Sequence, residues 1–380
     1  MNTAFGLIRK YRLNPLRAAR VLGFVAVAMH DAAVAVVAVV RAPDAAQRAA
    51  LLIAGGAMLG HWFPEEPRGK WLGWAVQQAA LRLDARGGAA VDVAGADDDA
   101  GVARAVIAAQ QAAQAVIARS LYDRADPAGV GLRAAPTGAA VWKAAPPLWS
   151  SRPVEPAAEQ WAVWLVSASI AQSVPAPLSL DAVRYAAEVD EVLAVQRALT
   201  LEQKRLADDW NLDLGTLTPA GVWVERLLRD AAFVALPWRQ QTACLSLLTA
   251  ALHDAFIACW AVKFKWWTER PVTAIRRERD AGFLPYLVTP SFPSYVSGHA
   301  VVSGAAAAVL GALFTHNAAR FERDAQDAAV SRLYGGIHFR SDNDEGLRLG
   351  RALGAAAVSA TIERTRAPGV PLAQPLIAGG

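Results

Sequence analysis

The chain has 380 residues, 54% of them hydrophobic and 19% charged, with a net charge of +4 and two cysteines. This composition excludes disorder, a fibrous repeat and a disulfide scaffold, and the charge is too small for a dedicated nucleic-acid binder of this length. A mean hydropathy of +0.23 keeps a membrane protein under consideration.

The first elements bear on that question. Asn14-Pro15 reads as a helix N-cap followed by Pro at the first helical position. Val21–Val40, flanked by Arg20 and Arg41, is long enough to cross a bilayer. His30 and Asp31 lie at its centre, however, and a central Asp costs roughly 2.5–3.5 kcal/mol on insertion scales. The segment is therefore expected to be a buried helix of a bundle, with no stable membrane insertion. It is also too long for a signal peptide, so the expected compartment is the cytoplasm.

Residues 126–178 are expected to be a Pro/Trp-rich ordered connection, with Pro127, Pro136, Pro146, Pro147, Pro153 and Pro156 among Gly, Ser and Trp, packed by Trp142 and Trp149. It separates an N-terminal helical bundle (1–125) from a C-terminal one (179–380). Ser179 precedes apolar residues at helical spacing, from Ala182 to Leu193. Thr200 with Gln203 fits a capping box, and Thr218-Pro219 and Pro237 open further helices. Cys244 and Cys259 on one helix would be roughly 22 Å apart, too far for a disulfide. No sustained alternation marks a strand, so the fold class is all-α.

The halves resemble each other. Ala28-Met29-His30-Asp31-Ala32 matches Ala251-Leu252-His253-Asp254-Ala255, and Met58–Phe63 matches Val309–Phe314. The second copy carries more chain between these landmarks, which is where a site is expected. His30 and Asp31 then read as structural.

Three polar clusters follow in the second half. Lys263 stands six residues before Arg270-Pro271; Pro293-Ser294-Tyr295-Val296-Ser297-Gly298-His299 comes next; Ser331-Arg332 then precedes His338 and Asp342. Residues 261–280 carry a local net charge of +3. Lys263, Arg270 and Arg332 suit a tetrahedral oxyanion. Ser297-Gly298 precedes an apolar helix whose free N–H groups and positive dipole end would face the same anion. His299 could donate or accept a proton. On a helix, Asp342 would share a face with His338 and hold one ring nitrogen, leaving the other as nucleophile or ligand. Asp342-Asn-Asp-Glu-Gly346 does not fit a calcium loop, because Ala352 stands where the bidentate Glu belongs, and no Cys/His cluster supports zinc.

In this order and spacing, the clusters resemble the K-x6-RP, PSGH and SR-x5-H-x3-D motifs of the type 2 phosphatidic acid phosphatase and vanadium-dependent haloperoxidase superfamily. Val296 replaces the Pro that directly precedes Ser-Gly-His. Asn14–Arg20, Gly215–Trp223, Tyr334–Phe339 and Asp342–Gly346 are similar to bacterial members of the haloperoxidase branch. The resemblance implies a fold of two related four-helix bundles and a vanadate cofactor held through His338. Its oxygens would lie against Lys263, Arg270, Ser297, the Gly298 N–H and Arg332, with His299 as acid–base. It implies hydrogen peroxide, halide and a small organic acceptor as partners. Phe292 and Trp260 resemble the halide edge of chloroperoxidases. The alternative is a phosphatase: phosphate would occupy the same residues, His338 would form a phosphohistidine and His299 would protonate the leaving oxygen. Exposed Trp or Ala-rich helix faces could support a homodimer.

Overall fold

A computed structural model describes residues 1–39, 44–66, 96–125 and 134–366. These residues contain no strand, only an isolated bridge between Val141 and Thr268. The all-α reading holds. The helices are α1 (Asn2–Lys10), α2 (Pro15–Val39), α3 (Asp44–Trp62), α4 (Ala96–Tyr122), α5 (Val183–Arg197), α6 (Leu201–Asp209), α7 (Thr218–Arg229), α8 (Ala231–Ala235), α9 (Trp238–Trp266), α10 (Pro271–Glu278), α11 (Gly298–Leu313), α12 (Ala318–Tyr334) and α13 (Arg340–Arg366). The complete helix count of the N-terminal half and Pro127 of the connection fall outside the described residues.

Several boundaries follow the local chemistry. Asn14 Oδ1 accepts from the Arg17 N–H at 3.0 Å, and Pro15 opens α2 where no intrahelical N–H is required. Thr200 and Gln203 form the reciprocal capping box at the head of α6. Pro237 precedes α9. The helix expected behind Ser179 begins later, at Val183, because the Ser179 carbonyl closes a turn with the Ala182 N–H.

Helix α9 is the central post. Its side chains are almost continuously buried from Cys244 to Phe264, and it packs against α2 on one side and α11 and α13 on the other. Helix α2 in turn packs against α3 and α4. Both α2 and α9 are long and apolar enough to cross a membrane by length and composition. Here 78% and 94% of their apolar stretches are buried against protein. The segment behind Asn14-Pro15 is thus a core helix. Cys244 and Cys259 are both free and buried on α9. Trp142 packs against Trp267, but Trp149 is 61% exposed and does not pack the connection as expected. Its neighbourhood turns outward at Ala145–Trp149, where the Trp149 N–H bonds the Ala145 carbonyl.

The contact that places the site is between α11 and α13. A Cβ on Gly350 would lie 2.1 Å from the Val301 carbonyl oxygen, and one on Gly354 2.5 Å from that of Ala305. Only glycine allows the two backbones to approach this closely. The approach brings the N-terminal end of α11 beside the chain that enters α13.

Candidate oxyanion site

The three polar clusters converge at these helix ends. Lys263 lies in the last turn of α9. The helix stops at Trp267 in the left-handed conformation, and the following extended residues pair with Val141. Arg270 then caps α10, with Pro271 at its first position. The Lys-x6-Arg-Pro spacing therefore encodes a helix end, a reversal and a new helix start, with both cations turned inward.

Lys263 Nζ donates to the carbonyls of Pro293 and Ser294, each at 2.7 Å. Arg270 Nε donates to the Phe292 carbonyl at 2.8 Å. Its Nη1 donates to the Ile337 carbonyl at 2.7 Å and to His338 Nε2 at 3.1 Å. Its Nη2 is buried without a partner. Arg332 Nε donates to Ser331 Oγ at 3.0 Å and Nη2 to the Ala207 carbonyl at 3.1 Å. All three cations are at most 1% exposed. Their hydrogen bonds end on carbonyls, a hydroxyl and an imidazole rather than on carboxylates. Burial pulls the proton affinity of each below its ordinary value, Arg270 and Arg332 to about 9. Buried cations without carboxylate partners are costly, and an anion between them would offset that cost.

Ser297 is the N-cap of α11, with Oγ facing the Ala300 N–H at 3.5 Å. Gly298 is the first helical residue, so its N–H belongs to the orphan set at the positive end of a 16-residue helix. His299 is half-buried at this end, with a buried Nε2 that has no partner and its ring held by the backbone of Trp210 and Asn211. Burial and the nearby Arg332 push its pKa well below the ordinary range, so the ring is neutral.

His338 and Asp342 meet, but not as two residues on one helix face. Helix α13 begins at Arg340, so His338 sits in the turn before it and Asp342 in the first turn. Asp342 Oδ2 accepts from His338 Nδ1 at 2.9 Å, from the Phe339 N–H at 3.0 Å and from Ser294 Oγ at 2.5 Å. The carboxylate thus caps the helix and holds the imidazole together. Arg270 can only donate and the carboxylate only accepts, so the partners at both ends fix the neutral tautomer with the proton on Nδ1. The Nε2 lone pair points to the cation cluster. Burial and Arg270 push the His338 pKa well below its ordinary value, and burial raises that of Asp342.

Phe292 and Trp260 form one edge, with ring centroids 4.9 Å apart. Lys263 Nζ lies 5.1 Å from the Phe292 centroid and the Arg270 guanidinium 4.8 Å. Trp260 donates to the Val154 carbonyl at 3.1 Å and closes against Gly298.

The structure therefore brings together Lys263, Arg270, Ser297, Gly298, His299, Arg332, His338 and Asp342, with Trp260 and Phe292 beside them. Sequence reasoning left Ser294 without a role and did not find the carbonyls of Ala207, Phe292, Pro293 and Ile337 that hold the cations. Such backbone acceptors are common to every residue type and leave no mark in a sequence. The donor set fits a tetrahedral oxyanion such as vanadate or phosphate: buried cations, helix N–H groups, one partnerless guanidinium nitrogen and an imidazole lone pair. Among the described residues no His/Cys/Asp/Glu cluster suits a bare metal ion.

Residues 243–325 and 313–366 match the model of the VCPO second helical-bundle domain. A search of curated protein sequences finds no match. Among solved structures the chain is similar to the first bacterial vanadium-dependent iodoperoxidase, at 22% identity and a TM-score of 0.75, covering 94% of each chain. It is also similar to the apo and holo forms of a bacterial vanadium-dependent chloroperoxidase. Both are 16% identical, with TM-scores of 0.67 and 0.66 over 92% of this chain, and cover 95% and 92% of theirs.

Proposed function

We propose that the chain is a member of the vanadium haloperoxidase branch of the type 2 phosphatidic acid phosphatase/haloperoxidase superfamily, a reading supported by the family-model match over 243–366 and the fold likeness, and that it oxidises halide with hydrogen peroxide at a bound vanadate. The observation that carries this reading is the enclosure of Lys263, Arg270 and Arg332 with neutral hydrogen-bond partners, facing an imidazole whose lone pair is free of a proton.

Bound vanadate supplies a Lewis acid that activates hydrogen peroxide toward a halide without itself changing oxidation state. The residues of this chain do the rest. His338 Nε2 would hold the vanadate, and giving up its contact with Arg270 Nη1 would leave that donor for an oxyanion oxygen. Arg270 Nη2, Lys263 and Arg332 balance negative charge as it builds on oxygen, a preorganised role that requires no solvent rearrangement. Ser297 and the Gly298 N–H take further oxygens at the helix end. His299 Nε2 holds or moves a proton, its neutral state making it an acceptor first. Phe292 and Trp260 exclude water from the approach of the halide. The product of this reaction would be a halogenating species that acts on a small organic acceptor.

Phosphate shares the charge and shape of vanadate, so the same imidazole could form a phosphohistidine. The test is a paired assay on one preparation. Halogenation of a 1,3-diketone is measured with peroxide, added orthovanadate and chloride, bromide or iodide in turn; hydrolysis of an aryl phosphate is measured without vanadate. Vanadate-dependent halogenation is expected. Phosphate hydrolysis with no halogenation would reject the peroxidase reading in favour of a phosphatase.

A further inference from the structure

Ser294 lies on the loop between α10 and α11, is 0% exposed, and has every polar group engaged. Its N–H donates to the Thr268 carbonyl at 3.1 Å, its carbonyl accepts from Lys263 Nζ at 2.7 Å, and its hydroxyl donates to Asp342 Oδ2 at 2.5 Å. The same hydroxyl oxygen is 3.4 Å from His338 Nδ1. One residue thus touches the groups of all three sequence clusters. We propose that Ser294 is a positioning residue: its hydroxyl fixes the Asp342 carboxylate, and through it the ring orientation and tautomer of His338.

The argument is geometric. Asp342 Oδ2 receives three donors, and two of them bind it to its own chain segment: the Phe339 N–H and the His338 ring. Both belong to the turn entering α13, so they cannot anchor that turn to anything else. The Ser294 hydroxyl is the side-chain tie from this carboxylate to the loop that holds Lys263. Without it the carboxylate keeps only local partners and can rotate. The imidazole would then lose a fixed acceptor for its Nδ1 proton. A ligating histidine whose other nitrogen is not held presents its lone pair in a spread of directions. Ala at this position removes the hydroxyl alone and leaves the Ser294 carbonyl contact to Lys263 in place, so the two contributions separate.

This inference rests on the reading of the site as an oxyanion cradle, and its test keeps the two apart. Orthovanadate and, in parallel, inorganic phosphate are titrated calorimetrically into the wild-type chain, Ser294→Ala and Ser294→Thr. Ser294→Ala is expected to bind both on the order of tenfold more weakly, and Ser294→Thr, which keeps the hydroxyl, to stay within about threefold of wild type. In 15N-histidine-labelled protein without oxyanion, the His338 ring, assigned by its loss in His338→Gln, is expected to show one Nδ1-protonated tautomer in wild type and a mixture in Ser294→Ala. A wild type that binds neither oxyanion would overturn the cradle reading and this inference with it. A wild type that binds, beside a Ser294→Ala of unchanged affinity and unchanged His338 tautomer, would overturn the inference alone, even if that variant melts earlier.

Discussion

Among the described residues, the buried pairs His253–Asp254 and His338–Asp342 each make a histidine–aspartate contact, and their surroundings differ in kind. His253 and Asp254 sit mid-way along α9, 3.3 Å apart. Asp254 accepts from three consecutive backbone N–H groups, those of Trp164, Leu165 and Val166. His253 is enclosed by the rings of Phe24, Trp161 and Trp164. His338 and Asp342 are 2.9 Å apart, but Lys263, Arg270 and Arg332 press on them electrostatically and Arg270 reaches the free ring nitrogen. The first pair anchors an irregular connection to a helix. The second turns a lone pair toward a cluster of buried cations. The dyad is common to both; the charge around it and the direction of its open nitrogen decide what it does.

Exchanging the lesions should separate the two. His338→Ala is expected to cut turnover on the order of a thousandfold or more, about 4 kcal/mol of barrier, with little change in melting temperature. Asp254→Ala would leave three buried N–H groups without an acceptor, costing roughly 3–4 kcal/mol of stability. The fraction that remains folded should turn over at the wild-type rate. Urea denaturation and activity per folded molecule check both; a catalytic defect in folded Asp254→Ala would erase the distinction.

The relation between the helices that carry the second pair is the next thing to break. Gly350→Ala forces a Cβ against the Val301 carbonyl and pushes α13 off α11. A loss of roughly 3 kcal/mol is expected from overpacking against backbone. Because Ser297 and Gly298 ride on α11 while His338 and Asp342 ride at the start of α13, oxyanion affinity should fall with it. Calorimetric titration of orthovanadate at a temperature where the variant is folded tests the second half.

Much of this was legible in the sequence because it is carried by side-chain type and spacing. The capping residues Asn14, Thr200 and Pro237 mark helix starts where they were read, and the three polar clusters meet as their order implied. What was missed has a physical pattern. His338 lies outside the helix because Asp342 caps the first turn of α13, so a four-residue spacing that suits one helix face also suits a helix entrance. Trp149 faces outward because apolar character alone does not say which tryptophan of a proline-rich segment finds a partner. Ser294 stayed silent because a hydroxyl next to a recognised motif reads as part of its turn. The matching segments Ala28–Ala32 and Ala251–Ala255 lie on the long core helices α2 and α9, which pack against each other.

That match yields the smallest and most specific test, because His30, the α2 counterpart of His253, has a buried Nδ1 without a partner. Burial alone pulls its pKa from the ordinary 6.5 to about 4. The folded protein therefore keeps His30 neutral while the unfolded chain takes up a proton as pH falls through 6.5. More protons are then bound in the unfolded state, so stability falls with falling pH between 6.5 and 4 and levels off below. From pH 7 to pH 5 this one residue should cost roughly 2 kcal/mol. Replacing it with a side chain that cannot be protonated, His30→Met, should flatten that part of the profile while leaving oxyanion affinity untouched. Urea midpoints at pH 7, 6 and 5 measure the difference. Parallel profiles for the two proteins would mean that His30 reaches a proton in the folded state, and that the α2 dyad is more open than its counterpart in α9.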